Sequence, residues 1–594
     1  TSLARAGATR TRTHFVAAMA RNIFPIWAAP IASTNFNVVT ALLGGFISLF
    51  GLVSYLLKEH FYLSEARKSD LAMLVGVAFG PQGAHFIRPR EYAGCPQNNL
   101  SETQCEANID AITLDFSRLV LAVQLVLAGV QLRSKYMWLE AKSVLLLVGP
   151  GMAMMWIATS LLVWGLLGTP SFLPALAVGA CVTPTDPVLS AVIVKGKFAD
   201  KNIPKELQDL IVAESGTNDG LGYPWLFFAL YLIKYVGAGA DPADGGGGQA
   251  FGLWFALTWA YVILMSIAYG AVVGLLAQYL LHWAEDRGWV DRESFLVFAI
   301  SLGLFVLGTC GLIGTDDVLA CFVAGNAFTW DDWFRVETKD DSLQPTVDML
   351  LNVTIFLWYG AVIPWDLIAH NEFTSLSRII PLGLLVLLLR RLPWIYGMHH
   401  WIHQIDSHQN AIFVGFFGPV GVSAIFYLYI ATEFIDRHLS DDDGVPREDV
   451  KHLRDTVTVV VWFMVVVSVV VHGLSIPLGK LGYLAPRTLS RALSGDVSDS
   501  SPNGMAALPG IGRLIKEDNG SRPGRNSGLT GSTSRIQSAS RAHSASRPHS
   551  VRERPRDIES GSSPNLLQDA VTEPKPSTRR EIRFPDEATA TSSS

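Results

Sequence analysis

Long apolar runs recur from about residue 36 to residue 484, separated by short polar loops. A helix needs about 17–25 mainly apolar residues to cross a bilayer. Runs of that kind lie at 36–57, 70–88, 112–132, 142–167, 172–195, 205–235, 252–282, 293–311, 314–330, 346–368, 378–398, 410–432 and 455–478. Backbone groups in hydrocarbon must be satisfied internally, so helices or a closed barrel are the only solutions. Runs this long predict an all-α polytopic membrane protein with about 13 transmembrane helices. The segments 205–235 and 252–282 are over-long and include interfacial ends.

Composition separates three regions: an N-terminal segment 1–35, a membrane domain 36–484 and a tail 485–594. Charged residues make up 16% of the 594 residues, below the ~25% usual in soluble proteins. The tail is rich in Ser, Arg, Pro and Gly, with a Ser/Arg patch at 538–547, a composition that favours a disordered segment. The net charge of −6 averages two unlike regions and says nothing about partners.

Loop charge sets orientation. Arg133, Lys135 and Lys142 share one loop, and Lys195, Lys197, Lys201 and Lys205 lie two loops on; Arg287 and Arg292 follow after another two. The alternate loops 168–171 and 236–251 carry no Lys or Arg. The basic loops and the tail are therefore expected in the cytosol, and the loop bearing Cys95 and Cys105 outside. Those two cysteines form either a local disulfide or two free thiols, and Asn99 opens a glycosylation sequon. Thirteen spans would leave the N-terminus outside, whereas Arg5, Arg10, Arg12 and Arg21 argue for inside; an extra or interfacial helix at 14–33 would reconcile the two. His399, His400, His403 and His408 crowd one loop and read as a solvated face or a pH sensor.

The chemistry concentrates in 180–224. Asp186 stands between Pro184 and Pro187, which interrupt a helix ladder and free carbonyls. A broken helix carrying a carboxylate at membrane depth is how transporters build cation sites. The plainer alternative for Asp186 is a helix cap. Thr183 and Thr185 add hydroxyl or carbonyl oxygen. In ESGTND, Ser215 and Asp219 are four apart and share a helix face. Glu214 and Asn218 share a neighbouring face. Asp219 with Ser215 is thus expected to face an ion and Glu214 another helix, where burial demands a cationic partner. The Arg390–Arg391 pair offers one. Asp316 and Asp317 precede an apolar run, as a helix cap or as functional acids. The segment 415–421, with Gly418 and Pro419, is a second broken helix in the other half of the membrane region.

In these residues the chain resembles the fungal plasma-membrane Na⁺/H⁺ antiporter family, within the monovalent cation/proton antiporters. The resemblance covers nearly all of 36–484. Its most specific stretches are TPTDPVLSAVIVKGKFADKNIP and ESGTNDG, supported by KEHFYLSEA, GVQLRSKYM, GTDDVLACFVAGNAF, LLLRRLP and GFFGPVGVSAIFY. It implies a homodimer of inverted repeats with two crossing broken helices, in the plasma membrane with its tail cytosolic. Asp219 would bind Na⁺ or H⁺ with Asp186 and Ser215, helped by Thr185 and Asn218. Glu214 would pair with Arg390, and Asp316 and Asp317 would serve transport or pH response. Two departures stand out: Gln131 where relatives often carry an acid, and Phe417 where many carry Arg.

The expected activity is exchange of cytosolic Na⁺, with Li⁺ and K⁺ as further candidates, for external H⁺ by alternating access, serving salt tolerance and pH homeostasis. No cofactor and no nucleic acid are expected; the partners are the bilayer, a second copy and regulatory proteins at the tail. The alternative is a cation channel, or a transport-like sensor signalling through the tail. No filter-like segment supports a channel, and no nucleophile–base pair or metal-ligand spacing supports an enzyme.

Overall fold

The computed structural model describes residues 35–61, 67–95, 100–168, 171–187, 189–190, 203–371, 373–440 and 446–493. The chain divides into two units, Thr1–Ser498 and Asp499–Ser594, and everything described belongs to the first. The expectations for 14–33, for Asn99 and for the tail beyond 493 fall outside the described residues.

Among the described residues the structure is helical, with one isolated bridge between Ser440 and Pro446. The order is α1 Asn35–Phe61, α2 Arg67–Phe79, α3 Glu102–Gln131, α4 Ala141–Leu167, α5 Phe172–Cys181, α6 Lys205–Gly220, α7 Gly222–Val236, α8 Gly246–Glu285, α9 Arg292–Ile313, α10 Asp317–Phe328, α11 Leu343–Val362, α12 Leu376–Leu389, α13 Leu392–Met398, α14 His408–Phe416, α15 Val422–His438 and α16 Leu453–Leu493. Each apolar run of the sequence contains helix. Seven of the described helical runs are long and apolar enough to cross a membrane. The last helix continues through Leu493, past the change of composition near 484.

The helices break where the sequence places Pro and Gly. The run 172–195 stops at Cys181, ahead of Pro184 and Pro187. The run 410–432 stops at Phe416 and resumes at Val422, with Gly418, Pro419 and Gly421 between. The run 205–235 is two helices meeting at Leu221, flanked by Gly220 and Gly222. Inside α4, Pro150 removes one N–H and the ladder widens to a π turn over Leu147–Gly151.

With no hydrophobic drive between helices in lipid, close packing through small residues holds them together. α10 lies at the centre, packed by α3, α6, α8 and α9. A Cβ at Gly216 would meet the Phe322 ring, and one at Gly220 the Leu319 side chain. α2 and α11 approach still more closely: a Cβ at Gly76 would strike the Leu357 carbonyl, and one at Gly360 the Met73 carbonyl. Backbone cannot give way as a side chain can. Gly76→Ala is therefore expected to cost about 1–3 kcal/mol by overpacking, read as a lower unfolding temperature in detergent; a variant as stable as wild type would contradict this contact.

Two observations order the ends of the helices. Arg133 and Lys205, from two of the basic loops, both reach Asp209, at 3.1 and 3.2 Å. At the other end of α3, Cys95 and Cys105 form a disulfide and Arg454 pairs with Asp110 at 2.9 Å. A disulfide fits an oxidising, extracytosolic face. The two basic loops thus share one face and the disulfide occupies the opposite one, as loop charge predicted.

Candidate ion-exchange site

The two broken helices cross. The Asp186 N–H donates to the Pro419 carbonyl at 2.9 Å. Unwinding leaves carbonyls at the end of α5 without ladder partners, and one guanidinium serves them. Arg390 donates to the carbonyls of Val182, Thr183 (3.1 Å) and Pro184 (3.4 Å), and from its other nitrogen to that of Gly418. It is buried and tied to both broken segments, where a cation also balances the negative ends of α5 and α14.

This corrects the expected pairing of Glu214 with Arg390. Glu214 is held by Arg391, through both carboxylate oxygens, Nη2 donating to Oε2 at 2.8 Å. Arg391 Nε also donates to the Val414 carbonyl at 2.9 Å. The reason is a break between α12 and α13. Arg390 keeps helical dihedrals and continues the direction of α12, whereas Arg391, at φ −119°, turns toward α6. Both members of the pair are buried, and the two-pronged geometry suits burial.

A polar seam joins α6 to the first broken helix. Asn218 accepts from the Thr185 N–H at 3.2 Å and donates to Thr185 Oγ1 at 2.8 Å. Thr185 Oγ1 lies 3.1 Å from Ser215 Oγ, which donates to Ser190 Oγ at 3.0 Å. Ser215 therefore turns toward Thr185 and Ser190, while Glu214 points to Arg391.

Asp186 acts in part as the cap it was weighed as: its Oδ2 accepts from the Leu189 N–H at 3.2 Å, and a Cβ at Gly421 would collide with its carboxylate. Asp219 differs. It is 0% exposed and has no cationic partner among the described residues, and the Ser423 hydroxyl is the one side-chain donor placed near its carboxylate. Ser423 lies beside it, and Asp186 and Asp316 are its charged neighbours. Tyr427 donates to the carbonyls of Asp219 and Gly220, fixing the end of α6.

Asp316 caps α10, accepting from the Leu319 N–H at 3.0 Å. Asp317 pairs with Arg118 at 2.5 Å. Both acids line a cavity of 530 Å³ with Arg118, Tyr223, Glu433 and His438. Sequence reasoning did not find Arg118, Ser423 or Tyr427. Ser423 and Tyr427 stand in the quoted motif GFFGPVGVSAIFY, and Arg118 is a lone cation in the apolar stretch of α3, which was signal enough. Gln131 ends α3, and the Phe417 ring lies tilted against Phe413 at 4.7 Å between centroids.

Residues 26–478 match the family described as sodium/hydrogen exchanger, transmembrane. The chain belongs to the sodium/hydrogen exchanger family. It is 33% identical over 518 residues to Na(+)/H(+) antiporter 2 of Zygosaccharomyces rouxii, covering 84% of this chain and 61% of that protein. It is 34% identical over 489 residues to the Na(+)/H(+) antiporter of Saccharomyces cerevisiae, covering 80% of this chain and 47% of that one. The chain thus spans about half to three-fifths of these relatives. The sodium proton antiporter MjNhaP1 of Methanocaldococcus jannaschii aligns at a TM-score of 0.49 and 17% identity, covering 75% of this chain and 98% of that one.

Proposed function

We propose that this membrane protein exchanges cytosolic Na⁺ for external H⁺ at Asp219 by alternating access. One observation carries the reading: a fully buried carboxylate with no cationic partner among the described residues, beside the crossing of two broken helices. An ionised carboxylate in such surroundings is costly. A bound proton removes the charge, and a bound cation neutralises it. The two cannot occupy the group together, so they compete, and an inward proton gradient can expel Na⁺. The names of the relatives point the same way.

In this reading Asp186, Ser215 and Thr185 lend oxygen to Na⁺, with Asn218 holding Thr185 in place. The Glu214–Arg391 pair and Arg390 keep the broken segments in register. Asp316 and Asp317 line the route from outside. Li⁺ and K⁺ are the further cations to test. The protein works as a homodimer in the plasma membrane with its tail in the cytosol, where regulatory proteins would bind, and it is a carrier rather than an enzyme.

The test is cation-induced proton movement in proteoliposomes, read with a pH-sensitive dye. Na⁺ or Li⁺ added outside vesicles with an acid-loaded interior should enter as protons leave and dequench the dye at a saturable rate. No proton movement with Na⁺, Li⁺ or K⁺ from well-folded protein would refute exchange.

A further inference from the structure

The second broken helix has an anchor that the exchange site does not include. α14 ends at Phe416 and α15 begins at Val422, so the stretch between lacks a helical ladder. Gly418 and Pro419 give their carbonyls to Arg390 and Asp186, and the Phe416 carbonyl accepts from the Gly418 N–H at 3.0 Å; two further contacts come from α16. The Val420 N–H donates to Ser468 Oγ at 2.7 Å. One helical turn further, His472 Nε2 lies 3.1 Å from the Phe416 carbonyl. In the tautomer with the proton on Nε2, the ring donates to that carbonyl and Nδ1 is free to accept from the Ser468 hydroxyl. His472 Nδ1 faces Ser468, 3.2 Å from its hydroxyl and 2.9 Å from its carbonyl. Both side chains are buried, Ser468 at 0% and His472 at 3% exposure. The rings of Phe416 and Phe417 cover the imidazole, at 5.4 and 6.1 Å between centroids.

One residue pair on a single helix therefore brackets the unwound stretch, taking the last carbonyl before it and an amide within it. Phe417 brings no charge or donor of its own. Around the ring, Arg390 is the charged group acting on it, and the Asp70 carboxylate of α2 lies against Gly473, the next residue. A histidine within VVVHGL is also an expensive residue to keep in an apolar span without a task.

We propose that His472 and Ser468 are positioning residues of the exchanger, a clamp on the last span that holds the second broken helix in register against Asp186 and Arg390. The inference rests on the exchange reading given above. The clamp acts on the rate of the conformational step and not on the cation ligands.

The test uses the full chain in proteoliposomes with His472→Leu, His472→Gln and Ser468→Ala, together with hydrogen exchange of 413–421. His472→Leu should lower the maximal exchange rate about tenfold and leave the half-saturating Na⁺ concentration within about twofold, the pattern of a lost rate-determining contact. Glutamine places an N–H near Nε2 and should recover most of the rate. Ser468→Ala removes one hydroxyl and should speed exchange of the Val420 amide at least about tenfold. That measurement needs no transport and so separates failure of the clamp from failure of the exchange reading. Wild-type rates in His472→Leu, equal loss in the Leu and Gln variants, or an unchanged Val420 amide in Ser468→Ala would each overturn the proposal. If His472→Leu does not fold, Ser468→Ala decides.

Discussion

Asp219→Asn is expected to reduce Na⁺-driven proton movement to that of protein-free vesicles while the protein remains folded. The amide has the shape of the carboxyl but neither titrates nor neutralises a cation. The fold should tolerate it, because no ion pair holds the Asp219 carboxylate among the described residues and an amide oxygen can still accept from the neighbouring Ser423 hydroxyl. The surrounding order comes from other groups: Tyr427 on the Asp219 and Gly220 carbonyls, and Asn218 on Thr185. The check pairs dye dequenching with thermal unfolding in detergent. Loss of exchange with unchanged stability supports the assignment. Retained exchange would move the coupling carboxylate elsewhere, with Asp186 the first to test.

Arg391→Met should have the largest effect on stability. It strands the Glu214 carboxylate in a buried site, and breaking one side of such a pair costs about 3–5 kcal/mol. Whole domains hold only about 5–15 kcal/mol, so the expected result is little monodisperse protein. Adding Glu214→Gln removes the stranded charge and should restore most of the yield. Recovery stays incomplete, because Arg391 Nε also serves the Val414 carbonyl. Arg390→Met fails for a different reason: it strips donors from the carbonyls of Val182, Thr183, Pro184 and Gly418, and Glu214→Gln should not rescue it. Rescue of Arg390→Met rather than Arg391→Met would reverse the assignment. Size-exclusion profiles and unfolding temperatures of the two double variants read this directly.

Residue order alone reached far in this chain. Apolar runs give spans because length and hydropathy are local properties. The breaks at Pro184 and Pro187 and at Gly418 and Pro419 were legible because proline and glycine act on their own backbone. The different facing of Glu214 and Ser215 followed from helical periodicity, and charge in the loops anticipated that Arg133 and Lys205 would share a face.

Tertiary structure decided what depends on direction and partners. Arg390 and Arg391 are neighbours of one residue type, and only the turn between α12 and α13 sends one to carbonyls and the other to Glu214. Asp316 and Asp317 divide a cap from an ion pair because one begins α10 and the other reaches Arg118, some two hundred residues earlier in the chain. The tie from Ser468 and His472 to Val420 and Phe416 likewise needs α16 folded against the second break. Local rules say where a helix must stop. Which distant side chain then satisfies the groups it leaves open is set by how the helices pack.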